Sequence, residues 1–205
     1  MLLIGMLDSP YVRRVAVSLK LMGVPFEHRA VSVFRQMDEF RKVNPVVKAP
    51  TLVADDGTML MDSTLILDHV ESTLPESRRL MPSAPGARLK ALHALGLALA
   101  ATDKSVSIVY ERERRPAEKV HGPWLERVIA QANTGFAEVE KLAAKGGPWI
   151  AGERIGAADV MAACGWRFSQ SSSAAPDIPA ARYPALAELS RRAEALREFS
   201  STSPD

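Results

Sequence analysis

Ser9 stands directly before Pro10, where the apolar run MLLIG gives way to residues at helical spacing. Serine before proline is a helix N-cap: proline at the first helical position needs no partner for an N–H, and the serine oxygen takes an amide that the helix leaves free. The same spot gathers unpaired amides and the positive end of the helix dipole, a combination suited to an anion such as a thiolate. The residues alone assign Ser9 the cap; whether its hydroxyl also faces a substrate is the question they raise. Asp62 and Ser63, before TLILDHV, are an acid and a hydroxyl at a second helix start, and caps by the same logic. Other chemistries lack their residues. There is no GxxxxGK or GxGxxG loop for phosphate and no HExxH or paired Cys/His spacing for a metal. The four histidines, His28, His69, His93 and His121, are scattered, Cys164 sits in the apolar AACGW, and no CxxC pair supports dithiol exchange.

The elements that carry these residues follow from periodicity. MLLIG reads as a strand, Pro10 to Met22 as a helix stopped by Gly23, and FEHRAVS as a second strand. A helix over Phe34 to Val43 is broken by Asn44 and Pro45, TLVADDGTMLM holds an Asp56-Gly57 hairpin, and DSTLILDHVESTL is a helix. The order is βαβαββα, a small α/β domain over residues 1–76. LPESRRLMPSAPGA, with Pro75, Pro82 and Pro85, marks a linker at 77–86. Residues 87–205 carry only helical patterns, at 87–115, 117–145, 157–169 and 184–197, and YERERR is a solvated helix face. A net charge of +2 gives no footprint for nucleic acid or an acidic membrane, and a single cysteine excludes an internal disulfide framework. MLLIGMLDSP lacks a basic start, and no run approaches the ~18 apolar residues of a membrane span. The expectation is a soluble, cytoplasmic protein without nucleic-acid or membrane partners.

SPYVRRV after the first strand, NPVVKAPTLV before the hairpin, DSTLIL after it and WIAGERIGAADV in the helical half together resemble the glutathione transferase family, in order and over essentially the whole chain. The resemblance implies an α/β thioredoxin-like domain that binds glutathione, then an all-α domain contributing the electrophile site. It further implies a cytoplasmic homodimer acting in detoxification, of the bacterial serine-type subgroup, with glutathione as co-substrate and no metal or nucleotide. Ser9 matches the serine whose hydroxyl lies against the glutathione sulfur in serine-type members. Tyr11, in the first helical turn, is not at the strand-end position of tyrosine-type members. The matching X-Pro bond is cis in the family, so Ala49–Pro50 is expected cis, with the Ala49 backbone pairing the cysteinyl part of the peptide like an added strand. Family chains often have glycine where Val47 stands. Lys48 either offsets a peptide carboxylate or is an ordinary exposed lysine. Asp62 and Ser63 match the pair that holds the γ-glutamyl amine and carboxylate. Asp103, Ser107 and Tyr110 are expected to line the acceptor pocket; Asp103 either reaches the glutathione of a partner subunit or is a solvated aspartate. Asp159 caps its helix, with the reciprocal half of the box weakened by Gly156. The expected activity is conjugation of the glutathione thiolate to a hydrophobic electrophile. Glutathione-dependent isomerisation, dehalogenation and a non-catalytic binding module are the alternatives.

Overall fold

Alternation in the short apolar runs sets which face each strand residue meets. The computed structural model describes residues 1–204. Strands β1 (Leu2–Ile4), β2 (Glu27–Arg29), β3 (Thr51–Val53) and β4 (Met59–Met61) form one sheet in the order β2-β1-β3-β4. The β1–β2 pair is parallel; β1–β3 and β3–β4 are antiparallel. Leu3 lies opposite Leu52 in register, and both are fully buried against Val12, Val15, Ala16 and Leu19 of α1 (Pro10–Leu21) and Ile66, Leu67 and Val70 of α3 (Ser63–Ser72). Their neighbour Ile4 points the other way, onto Val31 and Phe40. The hairpin turns where expected, with Gly57 at φ 87° donating its N–H to the Ala54 carbonyl. The βαβαββα order read from the sequence is the order observed, a thioredoxin-like domain followed by helices.

One helix is shorter than its pattern. Only α2 (Met37–Arg41) forms within the 34–43 stretch. The Ser32 hydroxyl accepts the N–H groups of Phe34 and Arg35 and holds that segment in a turn.

The chain divides into two compact units: residues 1–82 together with those from Leu196 onward, and residues 83–195. Sequence reading carries the helical domain to residue 205, but from Leu196 the chain joins the first unit. There α8 (Arg197–Ser200) packs on α1. Arg13, buried on α1, donates from Nε to the Thr202 carbonyl at 2.9 Å and from Nη2 to the Phe199 carbonyl at 3.3 Å, with its guanidinium 5.6 Å from the Phe199 ring centre. Lys20 Nζ reaches Ser201 Oγ at 2.7 Å. Arg13 and Lys20 thus bring positive charge to the carbonyl end of α8, where the Phe199 carbonyl also accepts the Thr202 N–H at 3.1 Å.

The second unit holds α4 (Pro85–Glu113), α5 (Gly122–Ala143), α6 (Ala157–Ser171) and α7 (Pro184–Glu194). The expected helix from 117 begins at Gly122, after a single 3-10 turn at Ala117–Lys119. Helix α4 packs against α5 and α6 at close range: a Cβ on Gly165 would lie 1.9 Å from Thr102 Oγ1. Trp166 meets Phe136 and Tyr183 edge to face, and Glu140 accepts the first amides of α7 from Ala185 and Leu186. Among the described residues α4 is the one helix long and apolar enough to cross a membrane. Of its most apolar window 44% is buried inside the protein.

Candidate functional site

The first unit brings three of the expected segments to the ends of β1 and β3. Beyond Ile4 the chain turns at Gly5, whose φ is 138°. A Cβ there would stand 2.6 Å from Val12 Cγ2 and 3.1 Å from Ala49 Cβ, so a residue without one lets the strand end, the first turn of α1 and the loop before β3 converge. A His28 ring nitrogen is 2.8 Å from the Gly5 carbonyl on the far side. Ser9 follows in extended conformation as the N-cap of α1, with Pro10 opening the helix. Its Oγ accepts the Val12 N–H at 3.4 Å, a long bond, and the hydroxyl hydrogen has no acceptor among the described residues. The cap role is present, and the donor of the hydroxyl is left uncommitted. Tyr11 sits in the same turn, partly buried.

The loop before β3 is shaped by Asn44. Fully buried, it donates its side-chain amide to Thr51 Oγ1 at 2.8 Å and to the Lys48 carbonyl at 3.3 Å, and it accepts the Val46 N–H at 2.9 Å. These bonds hold Val47 at φ 54°, a left-handed conformation that costs a β-branched residue about 1–3 kcal/mol. Contact of Val47 with the Ile4–Val31–Phe40 cluster offsets that cost. A glycine would adopt the angle freely, so Val47 carries a strain at this turn that a residue without a side chain would not. Ala49–Pro50 is cis, as the resemblance implied. Ala49 makes no backbone hydrogen bond among the described residues, so its N–H and C=O are available to an added strand. Lys48 is exposed.

The third segment is the start of α3. Asp62, exposed and at φ 70°, accepts the Thr64 N–H on Oδ1 at 2.8 Å. Ser63 is buried, and its Oγ accepts Arg14 Nη1 at 2.9 Å; Thr64 Oγ1 accepts the same nitrogen at 3.0 Å. Arg14 is itself buried, on the helix that Ser9 caps. Sequence reasoning missed it. The one available signal was a pair of arginines inside the apolar spacing of α1, where a charge needs a partner.

Asp103, Ser107 and Tyr110 belong to the second unit, at i, i+4 and i+7 on one face of α4. The Asp103 carboxylate is exposed and 3.0 Å from Lys104 Nζ; Ser107 Oγ donates to the Asp103 carbonyl at 2.9 Å; Tyr110 is 46% exposed. None of the three is joined to the others by a side-chain to side-chain bond in the described residues. No group of three or more His, Cys, Asp or Glu side chains gathers as a metal site among the described residues, and Cys164 is buried.

Residues 3–78 match the family model for the glutathione S-transferase N-terminal domain, and residues 122–192 match that for the glutathione S-transferase C-terminal domain. The chain is similar to glutathione S-transferase U4 of Arabidopsis thaliana, 28% identical over 160 residues, which span 78% of this chain and 67% of that one. It is also similar to the probable maleylacetoacetate isomerase 1 of Drosophila melanogaster, 26% identical over 200 residues, 93% of this chain and 76% of the relative. Among solved structures, a glutathione S-transferase from Methylobacterium radiotolerans in complex with glutathione sulfonate superposes with a TM-score of 0.89. It is 29% identical, over 99% of this chain and 94% of its own.

Proposed function

The chain belongs to the glutathione S-transferase family, and we propose that it is a serine-type transferase, which joins the thiolate of glutathione to a hydrophobic electrophile. The observation that carries the reading is the Ser9 hydroxyl: it stands at the positive end of α1 with its hydrogen uncommitted. A thiol delivered there loses its proton more readily, because the thiolate gains a hydroxyl donor and the helix amides. The sulfur lone pair then forms a bond to the electrophilic carbon, and the leaving group departs with the electrons of the bond that breaks. Peptide substrate is held by the chain's own groups. Ala49 offers its N–H and C=O to the cysteinyl backbone, Asp62 takes the γ-glutamyl ammonium, and Ser63 with the first amides of α3 takes its carboxylate. Lys48 balances a peptide carboxylate. Glutathione is a co-substrate, and the relative solved with glutathione sulfonate supports that assignment.

Residues 1–76 form the glutathione-binding domain in this reading. The helical domain from residue 87 supplies the electrophile's surroundings through Asp103, Ser107 and Tyr110. The protein works in the cytoplasm as a homodimer; exposed Leu65, Leu89 and Leu92 are apolar side chains that a second copy would cover.

One observation favours a second reading. The similarity to the Drosophila relative named as an isomerase spans 93% of this chain. The same thiolate adds to an activated carbon–carbon double bond, the resulting single bond rotates, and elimination returns the thiol with the bond isomerised. The test is retention on immobilised glutathione, then turnover of an activated aryl halide beside a cis-configured unsaturated diacid. Conjugation of the halide supports the transferase, and isomerisation alone supports the second reading. Binding without turnover of either overturns both in favour of a binding module.

A further inference from the structure

We propose that Arg14 is a positioning residue that turns the Ser63 hydroxyl into a committed donor for a ligand carboxylate. The inference rests on the reading of the α3 start as the carboxylate site. A guanidinium carries only donors and keeps its charge at any working pH. A serine hydroxyl carries one hydrogen and two lone pairs. With one lone pair occupied by Arg14 Nη1 at 2.9 Å, the Ser63 hydrogen is directed away from Arg14. Both side chains are buried, at 2% and 3% exposure, so water does not compete for the bond between them. That bond draws density from Oγ and strengthens the donor that faces an anion. The bond to Thr64 Oγ1 at 3.0 Å fixes the guanidinium against the first turn of α3, whose own amides suit the same anion.

Arg14 also stands five residues after Ser9 on α1. One side chain therefore ties the helix that presents the sulfur partner to the helix that presents the carboxylate partner. A purely structural tie would support every ligand of the site equally. The arrangement here acts on one chemical group, the carboxylate, and that is the difference to measure.

The experiment compares glutathione with γ-aminobutyryl-cysteinylglycine, which differs only in lacking the γ-glutamyl carboxylate. Dissociation constants are taken for the wild type, Arg14→Gln, Ser63→Ala and the double variant. Arg14→Gln is expected to weaken glutathione about ten- to thirty-fold and the analogue less than about two-fold, the size of one charge-assisted bond. On the Ser63→Ala background the same substitution should cost glutathione under about three-fold, because the two residues act as one unit. Equal losses for both peptides, or an undiminished loss on the Ser63→Ala background, overturn the assignment of Arg14. Should Arg14→Gln fail to fold, Arg14→Lys keeps a buried cationic donor and should keep the preference for glutathione; loss of that preference with the fold intact overturns the proposal. Wild-type protein that binds neither peptide refutes the reading of the site itself, a different failure from equal losses in the variant.

Discussion

Two aspartates sit at the starts of helices, one in each unit, and they are used in opposite ways. Asp159, in the first turn of α6, is fully buried and accepts the N–H groups of Ile150 at 2.7 Å, Gly156 at 2.9 Å and Ala151 at 3.4 Å. Gly156 has no side chain to return the bond, so the box is one-sided as expected, and the carboxylate ties the 150–156 loop to the helix by itself. Burial pushes its carboxyl above the usual range, against the amides that favour the charge. Asp62 caps α3 from an exposed position with a single amide bond. Its remaining oxygen faces solvent, and its backbone is held at a φ of 70°. A carboxylate whose two oxygens both accept amides from within the protein serves the fold. One that fills a single site and keeps a strained backbone has capacity left for a ligand.

Breaking the first should therefore hurt stability and breaking the second should hurt binding. Asp159→Ala leaves three amides without their acceptor, and the expected loss is about 3 kcal/mol or more in urea unfolding. Glutathione affinity of the fraction that folds should be unchanged. Asp62→Asn keeps the cap oxygen and tolerates the positive φ, so stability should move by less than about 1 kcal/mol. Calorimetric glutathione affinity should fall about ten-fold or more, since the charge facing the ammonium is gone. If both variants lose stability alike, the contrast fails.

Ser9→Gly sharpens the comparison with a cap that is neither filled nor charged. Glycine costs only a few tenths of a kcal/mol at an N-cap, so the melting temperature should hardly move. Removing a hydrogen bond to the thiolate should raise the bound thiol's pKa by roughly one to two units and lower kcat/KM about ten- to a hundred-fold. Thiolate absorbance against pH in the binary complex, beside conjugation rates, checks it. The smallest effect concerns pH. Because Asp159 titrates above its unfolded value of 3.8, the native state holds a proton that the unfolded chain has released. Its contribution is complete below that unfolded value and is lost as pH rises through the native pKa. Urea midpoints of the wild type should show that decline as pH rises above 3.8 and through the raised native pKa, and Asp159→Asn should remove it.

Local chemistry was readable and distant chemistry was not. Pro10 and Asp56-Gly57 announced a helix start and a turn because the residues that decide them are adjacent in sequence. Ser9 and Asp62 were legible as helix caps for the same reason, whereas the cis bond before Pro50 was expected from resemblance alone. Arg14 was not, since its partners lie 49 and 50 residues away and nothing near it in sequence reports their approach. Arg13 poses the same difficulty at a separation of 189 residues, and with it went the placement of the segment after Leu196. Helix α2 begins later than its pattern: the Ser32 hydroxyl draws the Phe34 and Arg35 amides into a turn, and the regular helix starts only at Met37. At Asp103, Ser107 and Tyr110 the sequence gives a shared helix face and no more, because what such a face recognises depends on neighbours far along the chain.

The clasp of Arg13 and Lys20 on residues 199–202 has a consequence for synthesis. A nascent polypeptide leaves the ribosome from its N-terminus, and domains fold as their residues emerge. Here the order of completion is inverted. Residues 83–195 possess all of their unit once Ala195 has been made, whereas the unit begun at Met1 still lacks Phe199 and Thr202. Until those residues arrive, the Arg13 guanidinium lacks the carbonyls of Phe199 and Thr202. The helix that presents Ser9 is then completed only after residues 83–195, although it is translated before them.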